Sequence, residues 1–135
     1  MRIAVIDGQG GGIGKAIVER LRSRCGDSVT IIALGTNALA TSVMLKAGAD
    51  EGATGENAVV FNADRVDAII GAIGILAANS MLGELTPSMA AAIAGSHARK
   101  ILIPMNKCNI QVAGLKNENL FQYIDEALDM IDKSF

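Results

Sequence analysis

Arg2-Ile3-Ala4-Val5-Ile6-Asp7-Gly8-Gln9-Gly10-Gly11-Gly12-Ile13-Gly14-Lys15 begins as an apolar run and breaks into a loop with five glycines in seven positions. The run is almost continuously apolar, which suits a strand covered on both faces, as in a parallel sheet. Ile13, Ile17 and Leu21 then recur every four residues, with Val18 and Cys25 beside them. Glu19, Arg20, Arg22 and Arg24 fall mostly on the other faces. This spacing predicts an amphipathic helix from about Gly12 to Cys25, stopped by Gly26-Asp27. Strand, glycine loop and helix in that order bring backbone amides close to a phosphate. The helix N-terminus adds roughly half a positive charge there.

The same alternation continues along the chain. Val29 to Leu34 reads as a second strand ended by Gly35, with Asn37 capping a helix over Ala38 to Lys46 that Gly48 closes. A third helix is expected from Thr54, with Gly55 and Glu56 in its first turn and an end near Asp64. Ala68 to Ile75 reads as the third strand. Thr86-Pro87 opens a fourth helix, with Pro at its first position. Lys100 to Met105 reads as a strand, Ile110 to Ala113 as a short edge strand, and Asn117 to Lys133 as a closing helix with Leu120, Ile124, Leu128 and Ile131 on one stripe. The expected fold is α/β: one Rossmann-like domain over residues 1–135, three-layered and doubly wound, with about five mainly parallel strands and helices on both faces.

Bulk properties narrow the function. The chain has 135 residues, half of them apolar but only 3% aromatic, so the core must be built from Ile, Val, Leu, Ala and Met. At this length roughly 68% of the unfolded surface can be buried, enough for a core without disulfides. Twelve basic and 14 acidic residues leave a net charge of −2. That balance does not suit a nucleic-acid backbone, and the scarcity of aromatics does not suit base-stacking platforms. Two distant cysteines, Cys25 and Cys108, and one histidine, His97, make no metal-ligand pattern. The reading is therefore a reduced, cytoplasmic protein without metal. The longest uncharged run, Ala68 to Gly83, has sixteen residues and contains Gly71, Gly74, Asn79 and Ser80. It is too short for a membrane span and is expected to be a buried strand with its following loop.

The glycine loop admits three readings. As a dinucleotide fingerprint, Gly8, Gly12, Ile13 and Gly14 follow the Gly-x-x-x-Gly-Ile-Gly spacing that resembles the short-chain dehydrogenases. Gly8 would permit the turn, Gly12 the approach of a diphosphate and Gly14 the packing of helix on strand. The second strand ends in Leu34-Gly35-Thr36-Asn37, with neither the acid that usually meets the adenosine ribose nor an Arg for a 2′-phosphate. Asp7 would stand near any phosphate unless it ties down the amides of its own loop. The Tyr-x-x-x-Lys of that dehydrogenase class is absent, since Tyr123 is followed by Ala127. As a P-loop, Gly14-Lys15 lacks the earlier Gly, where Gln9 stands, and the magnesium-binding hydroxyl, where Ala16 stands. As a bare turn, five glycines cost more chain entropy than a turn needs.

Ligands of open parallel sheets bind outside the carboxyl ends of the strands. The residues expected there are Asp7, Gly8, Gln9, Gly10, Gly11, Gly12, Ile13 and Gly14 from the first strand and loop, and Gly35, Thr36 and Asn37 from the second. Gly74, Asn79 and Ser80 would join from the third, and Asn106, Lys107, Cys108 and Asn109 from the fourth, with Asn57 beside them. Single Asn, Gly, Ser and Thr residues also populate ordinary loops. Cys108, with Lys107 to lower its pKa, is a candidate nucleophile, and Lys107 and Asp7 are candidate reactive groups. Cys25 is expected to pack in its helix, His97 to sit at a helix end, and Met44, Met81, Met89 and Met105 to fill core or interface space.

Leu45-Lys46-Ala47-Gly48-Ala49-Asp50, Val66-Asp67-Ala68-Ile69-Ile70-Gly71 and Ala98-Arg99-Lys100-Ile101-Leu102-Ile103 resemble the cofactor domain of medium-chain dehydrogenases, which supports the fold more than any activity. Residues 6–14, 33–38 and 103–109 carry a closer resemblance over the whole chain, to an uncharacterised bacterial family catalogued as domain of unknown function 3842. That resemblance implies a stand-alone protein with no established activity. The expectation from sequence is a nucleotide-binding sensor or accessory module, NAD or NADP being the best-fitting ligand, in a homodimer whose second subunit walls the site. The alternatives are a small enzyme using Cys108, Lys107 or Asp7 at the same site, and a binder of a non-nucleotide polar ligand.

Overall fold

The computed structural model describes residues 1–105 and 109–134, with side chains up to residue 131. Five strands, β1 (Arg2–Asp7), β2 (Thr30–Gly35), β3 (Glu51–Thr54), β4 (Ala68–Ala72) and β5 (Arg99–Ile103), form one all-parallel sheet in the order β3-β2-β1-β4-β5. Five helices connect or follow them: α1 (Gly12–Cys25), α2 (Ala38–Ala47), α3 (Glu56–Asn62), α4 (Pro87–Ala94) and α5 (Leu120–Ser134). The expected doubly wound α/β fold is therefore present. Strand order reverses between β1 and β4, and a crevice opens at such a switch point beyond the carboxyl ends of the strands.

The period-2 alternation of the strands divides the core in two. Ile3 and Val5 of β1, Ile31 and Ala33 of β2, and Ile70 of β4 pack with Ile17, Val18 and Leu21 of α1, Met44 of α2 and Ile124, Leu128 and Ile131 of α5. Ala4, Ile6, Ile32, Leu34 and Ile69 face the other way, against Val59 of α3 and Met89 and Ile93 of α4. Both helical stripes read from the sequence thus point into the first cluster, and Met44, Met81 and Met89 are buried fillers. The caps also match: Asn37 Oδ1 accepts from the Ala40 amide, Thr86 Oγ1 from the Met89 amide, and Gly48 ends α2 with φ +126°.

Four expectations are corrected. The third strand stops at Ala72, because Ile73–Leu76 curls into a 3-10 turn that buries Ile75; an apolar run alone does not distinguish these shapes. Thr54 ends a strand instead of starting a helix, and α3 begins at Glu56 after Gly55. The strand β3 is four residues of exposed edge with no apolar alternation to announce it. Residues 110–113 make no ladder, and α5 starts at Leu120 instead of Asn117. Tyr123 reaches back to hold the preceding segment, donating to the Lys116 carbonyl and accepting from the Glu118 amide.

Candidate functional site

Parallel pairing sets Asp7 level with Gly35, so β1 and β2 end together and their loops rise side by side. Asp7 is buried, and its two oxygens accept from the amides of Gly8 (2.8 Å) and Gly14 (2.7 Å). The carboxylate thus takes up part of the N-terminus of α1 from inside. Burial pushes its pKa above the ordinary carboxylate range; the Gly14 and Gly8 amides oppose the rise, and the nearby charge of Glu84 adds to it. Asp7 is engaged in tying its own loop, the second of the two roles its position suggested.

The glycines divide their work. A Cβ on Gly14 would meet Met44 Sδ at 2.6 Å and Asp7 Cβ at 2.9 Å, so this glycine is required for helix-on-strand packing, as expected. Gly11 has φ +74° and lies against the backbone of Ala40. Gly8 is crowded by Thr36 Oγ1, and a Cβ there would also lie 2.7 Å from Met81 Sδ and 3.0 Å from Glu84 Oε1. Gly10 and Gly12 face open space, with nothing within 4 Å. Their amides have no protein acceptor among the described residues. Gln9, between Gly8 and Gly10, sits at φ +48°.

Glu84 is the residue that sequence reading missed. One oxygen, Oε1, accepts from the Gln9 amide (2.8 Å), the Thr36 hydroxyl (2.6 Å) and the Asn37 side-chain amide (2.8 Å). The Thr36 hydroxyl first, then the Gln9 amide, hold its pKa below the usual carboxylate range. Among the described residues no cation pairs with Glu84 or Asp7. A signal was present: Glu84 is the one charged side chain between Asp67 and Arg99.

Glu84 belongs to a loop that folds on itself. Asn79 N donates to Leu85 O, Gly83 N to Ser80 O, and Glu84 N to Met81 O. Ser80 is buried with its hydroxyl on the Gly74 carbonyl at 2.6 Å, so these two predicted site residues satisfy each other. Asn79, Met81 and Leu82 have φ of +66°, +57° and +56°, in the left-handed region that costs a non-glycine residue about 1–2 kcal/mol. Leu82 is 96% exposed at the tip.

Of the expected rim, then, Gln9, Thr36 and Asn37 meet Glu84 above Gly8, Asp7 meets the Gly8 and Gly14 amides, and Gly11 lies against α2. Ile13 is half-buried against the first core cluster. A Cβ on Gly35 would collide with Thr41, so this glycine packs β2 against α2. Asn106, Lys107 and Cys108 lie outside the described residues. Asn57 is exposed at the start of α3. His97 lies beyond α4, with its ring nitrogen 3.3 Å from Asp64. The crevice between the first two loops is filled by Glu84 and Met81. An open cleft of about 510 Å³ begins instead at Gly12 and Lys15 and runs along α1 to Arg20 and Phe121.

The fold and the crest, formed by the loops after β1 and β2 with the 77–85 loop folded onto them, define a class, the doubly wound parallel α/β proteins whose first loop is glycine-rich. Within it, the chain belongs to the family described as Domain of unknown function (DUF3842), whose profile matches residues 2–135. No curated protein matches the chain. Among solved structures it is similar to a dodecameric FMN-dependent Ubix-like decarboxylase from Escherichia coli O157:H7, at 16% identity and a TM-score of 0.48, covering 98% of this chain and 77% of that one. It is also similar to a universal stress protein from Archaeoglobus fulgidus, at 20% identity and a TM-score of 0.43, covering 76% of this chain and 97% of that one. Neither likeness bears on ligand or activity. No helix among the described residues is long and apolar enough to cross a membrane.

Proposed function

We propose that the chain binds a nucleotide at the crest, with NAD or NADP the ligand that best fits the loop spacing, and acts as a sensor or accessory module. The observation that carries the reading is the pair of open positions at Gly10 and Gly12. Among the described residues their amides lack protein acceptors, both glycines are exposed, and a Cβ at either would meet nothing within 4 Å, in the loop that leaves β1 at the switch point of the sheet. Phosphates would sit on these amides, with Lys15, one turn into α1, lining the same cleft as Gly12. Thr36 and Asn37 would face the sugar, and Asn79 the far end. In a homodimer, the second subunit would close the open side.

The test is thermal unfolding against millimolar NAD⁺, NADH, NADP⁺, NADPH, ATP and S-adenosylmethionine. A ligand at about a hundred times its Kd adds about 2.7 kcal/mol, which raises the midpoint by several degrees in a domain of this size. A selective rise supports the reading and names the nucleotide. Gly12→Val should abolish that rise at less than about 1 kcal/mol of lost stability, because its side chain enters open space. A Gly12→Val protein that binds as wild type does removes the phosphate assignment.

A further inference from the structure

Three donors from separate segments converge on a single oxygen at the carboxyl end of β2. The Gln9 amide comes from the glycine loop, the Thr36 hydroxyl from the end of β2, and the Asn37 amide from the cap of α2. Asn37 spends one N–H on the Gln9 carbonyl at 3.0 Å, which fixes it beside the loop, and aims the other at Glu84; three neutral donors converging on one point in this way make an anion-binding arrangement. Its occupant is supplied from a distant part of the chain, 47 to 75 residues away in sequence. The occupying carboxylate stands close to a second one, Asp7, and the loop that delivers it holds Met81 and Leu82 in left-handed backbone.

We propose that Glu84 is an internal plug. Its carboxylate fills an anion subsite made by Gln9, Thr36 and Asn37, and an anionic oxo group of the ligand displaces it on binding. The proposal rests on the reading of the crest as a ligand site. Displacement moves one negative charge away from Asp7 as the ligand brings another in, so the crest never holds an additional uncompensated acid. It also frees the 77–85 loop to leave its strained turn. The plug thereby sets the affinity of the site and couples its occupancy to the position of an exposed loop.

The experiment is an NMR titration of the ligand-free protein with sodium phosphate and, separately, sodium acetate, following the Gln9 and Asn37 amide resonances. In Glu84→Ala the vacated donors should take phosphate with half-saturation at least tenfold lower than in wild type, and with shifts confined to residues 8–11 and 36–40. Saturation by acetate but not phosphate would assign the subsite to a carboxylate ligand and equally support the plug. Equal half-saturation in variant and wild type, or shifts spread evenly over the crest, overturns it. Glu84→Gln keeps the plug's shape and guards against misfolding; it should fall between the two proteins. Indistinguishable responses of Glu84→Gln and Glu84→Ala reduce the effect to charge removal and also overturn the plug. The nucleotide reading is separable. Phosphate uptake by Glu84→Ala, with no nucleotide stabilising either protein, removes that reading and leaves the plug. Equal nucleotide Kd in wild type and Glu84→Ala keeps that reading and removes the plug.

Discussion

The two ends of the sheet treat charge in opposite ways. At the amino end, Arg22 reaches from α1 to the carbonyls of Gly26, Gly48 and Val29 and pairs with Asp50 at 2.7 Å. Asp50 also accepts from the Ile31 amide, which together with Arg22 holds its pKa below the ordinary range. Asp67 accepts from the Arg2 amide, and Asp64 takes the His97 amide and ring. Every acid named there meets a donor in a fixed connection. At the carboxyl end two acids, Asp7 and Glu84, lie close together and are served only by neutral donors among the described residues. One pKa moves up and the other down. The amino end is closed by the Arg22–Asp50 ion pair and by carboxylates on backbone amides, while the carboxyl end holds like charges in a polar crest. Closure of the first kind ties helix to sheet; an arrangement of the second kind is the one on which the proposed ligand site rests.

Substitutions can break or sharpen this contrast. Gly14→Val should have the largest effect, a loss of about 3 kcal/mol in urea unfolding, because Asp7 and Met44 stand where the side chain must go. A loss below about 1 kcal/mol would mean that α1 does not approach β1 this closely. Arg22→Ala should lower stability by about 2 kcal/mol through the carbonyls and carboxylate it abandons, while leaving any ligand-induced rise in midpoint unchanged. If ligand binding falls with it, the two ends are not independent. The smallest effect should be a gain. Leu82→Gly relieves left-handed backbone at a side chain that is 96% exposed, and should raise stability by about 0.5 kcal/mol after the entropy of the new glycine is counted. Unchanged or lower stability would show that Leu82 makes contacts that outweigh its strain.

Much of the fold was legible because it depends on local pattern. The apolar run of β1, the four-residue spacing of α1 and the stripe of α5 each carry their own period, and Asn37, Gly48 and Thr86-Pro87 are cap signals of local backbone chemistry. What the pattern hid was structure held by distant partners. The strand β3 exists because β2 offers it a ladder, and its own residues show no alternation. Residues 110–113 look strand-like but have no such ladder, so β-branched composition alone did not make a strand. The apolar run ending β4 bends at Ile73 because Ile75 finds the second core.

The candidate site divides in the same way. By itself the sequence determined that a glycine loop joins the first strand to the first helix, that Gly14 packs there, and that Thr36 and Asn37 stand at the end of the second strand. These follow from local order, since neighbours in a β-α-β unit are neighbours in space. Only the tertiary structure decided that Asp7 turns inward onto the amides of α1. Only it brought Glu84 across from the loop after β4 onto Gln9, Thr36 and Asn37. A side chain delivered from that far along the chain obeys loop closure and packing, and these have no period in sequence.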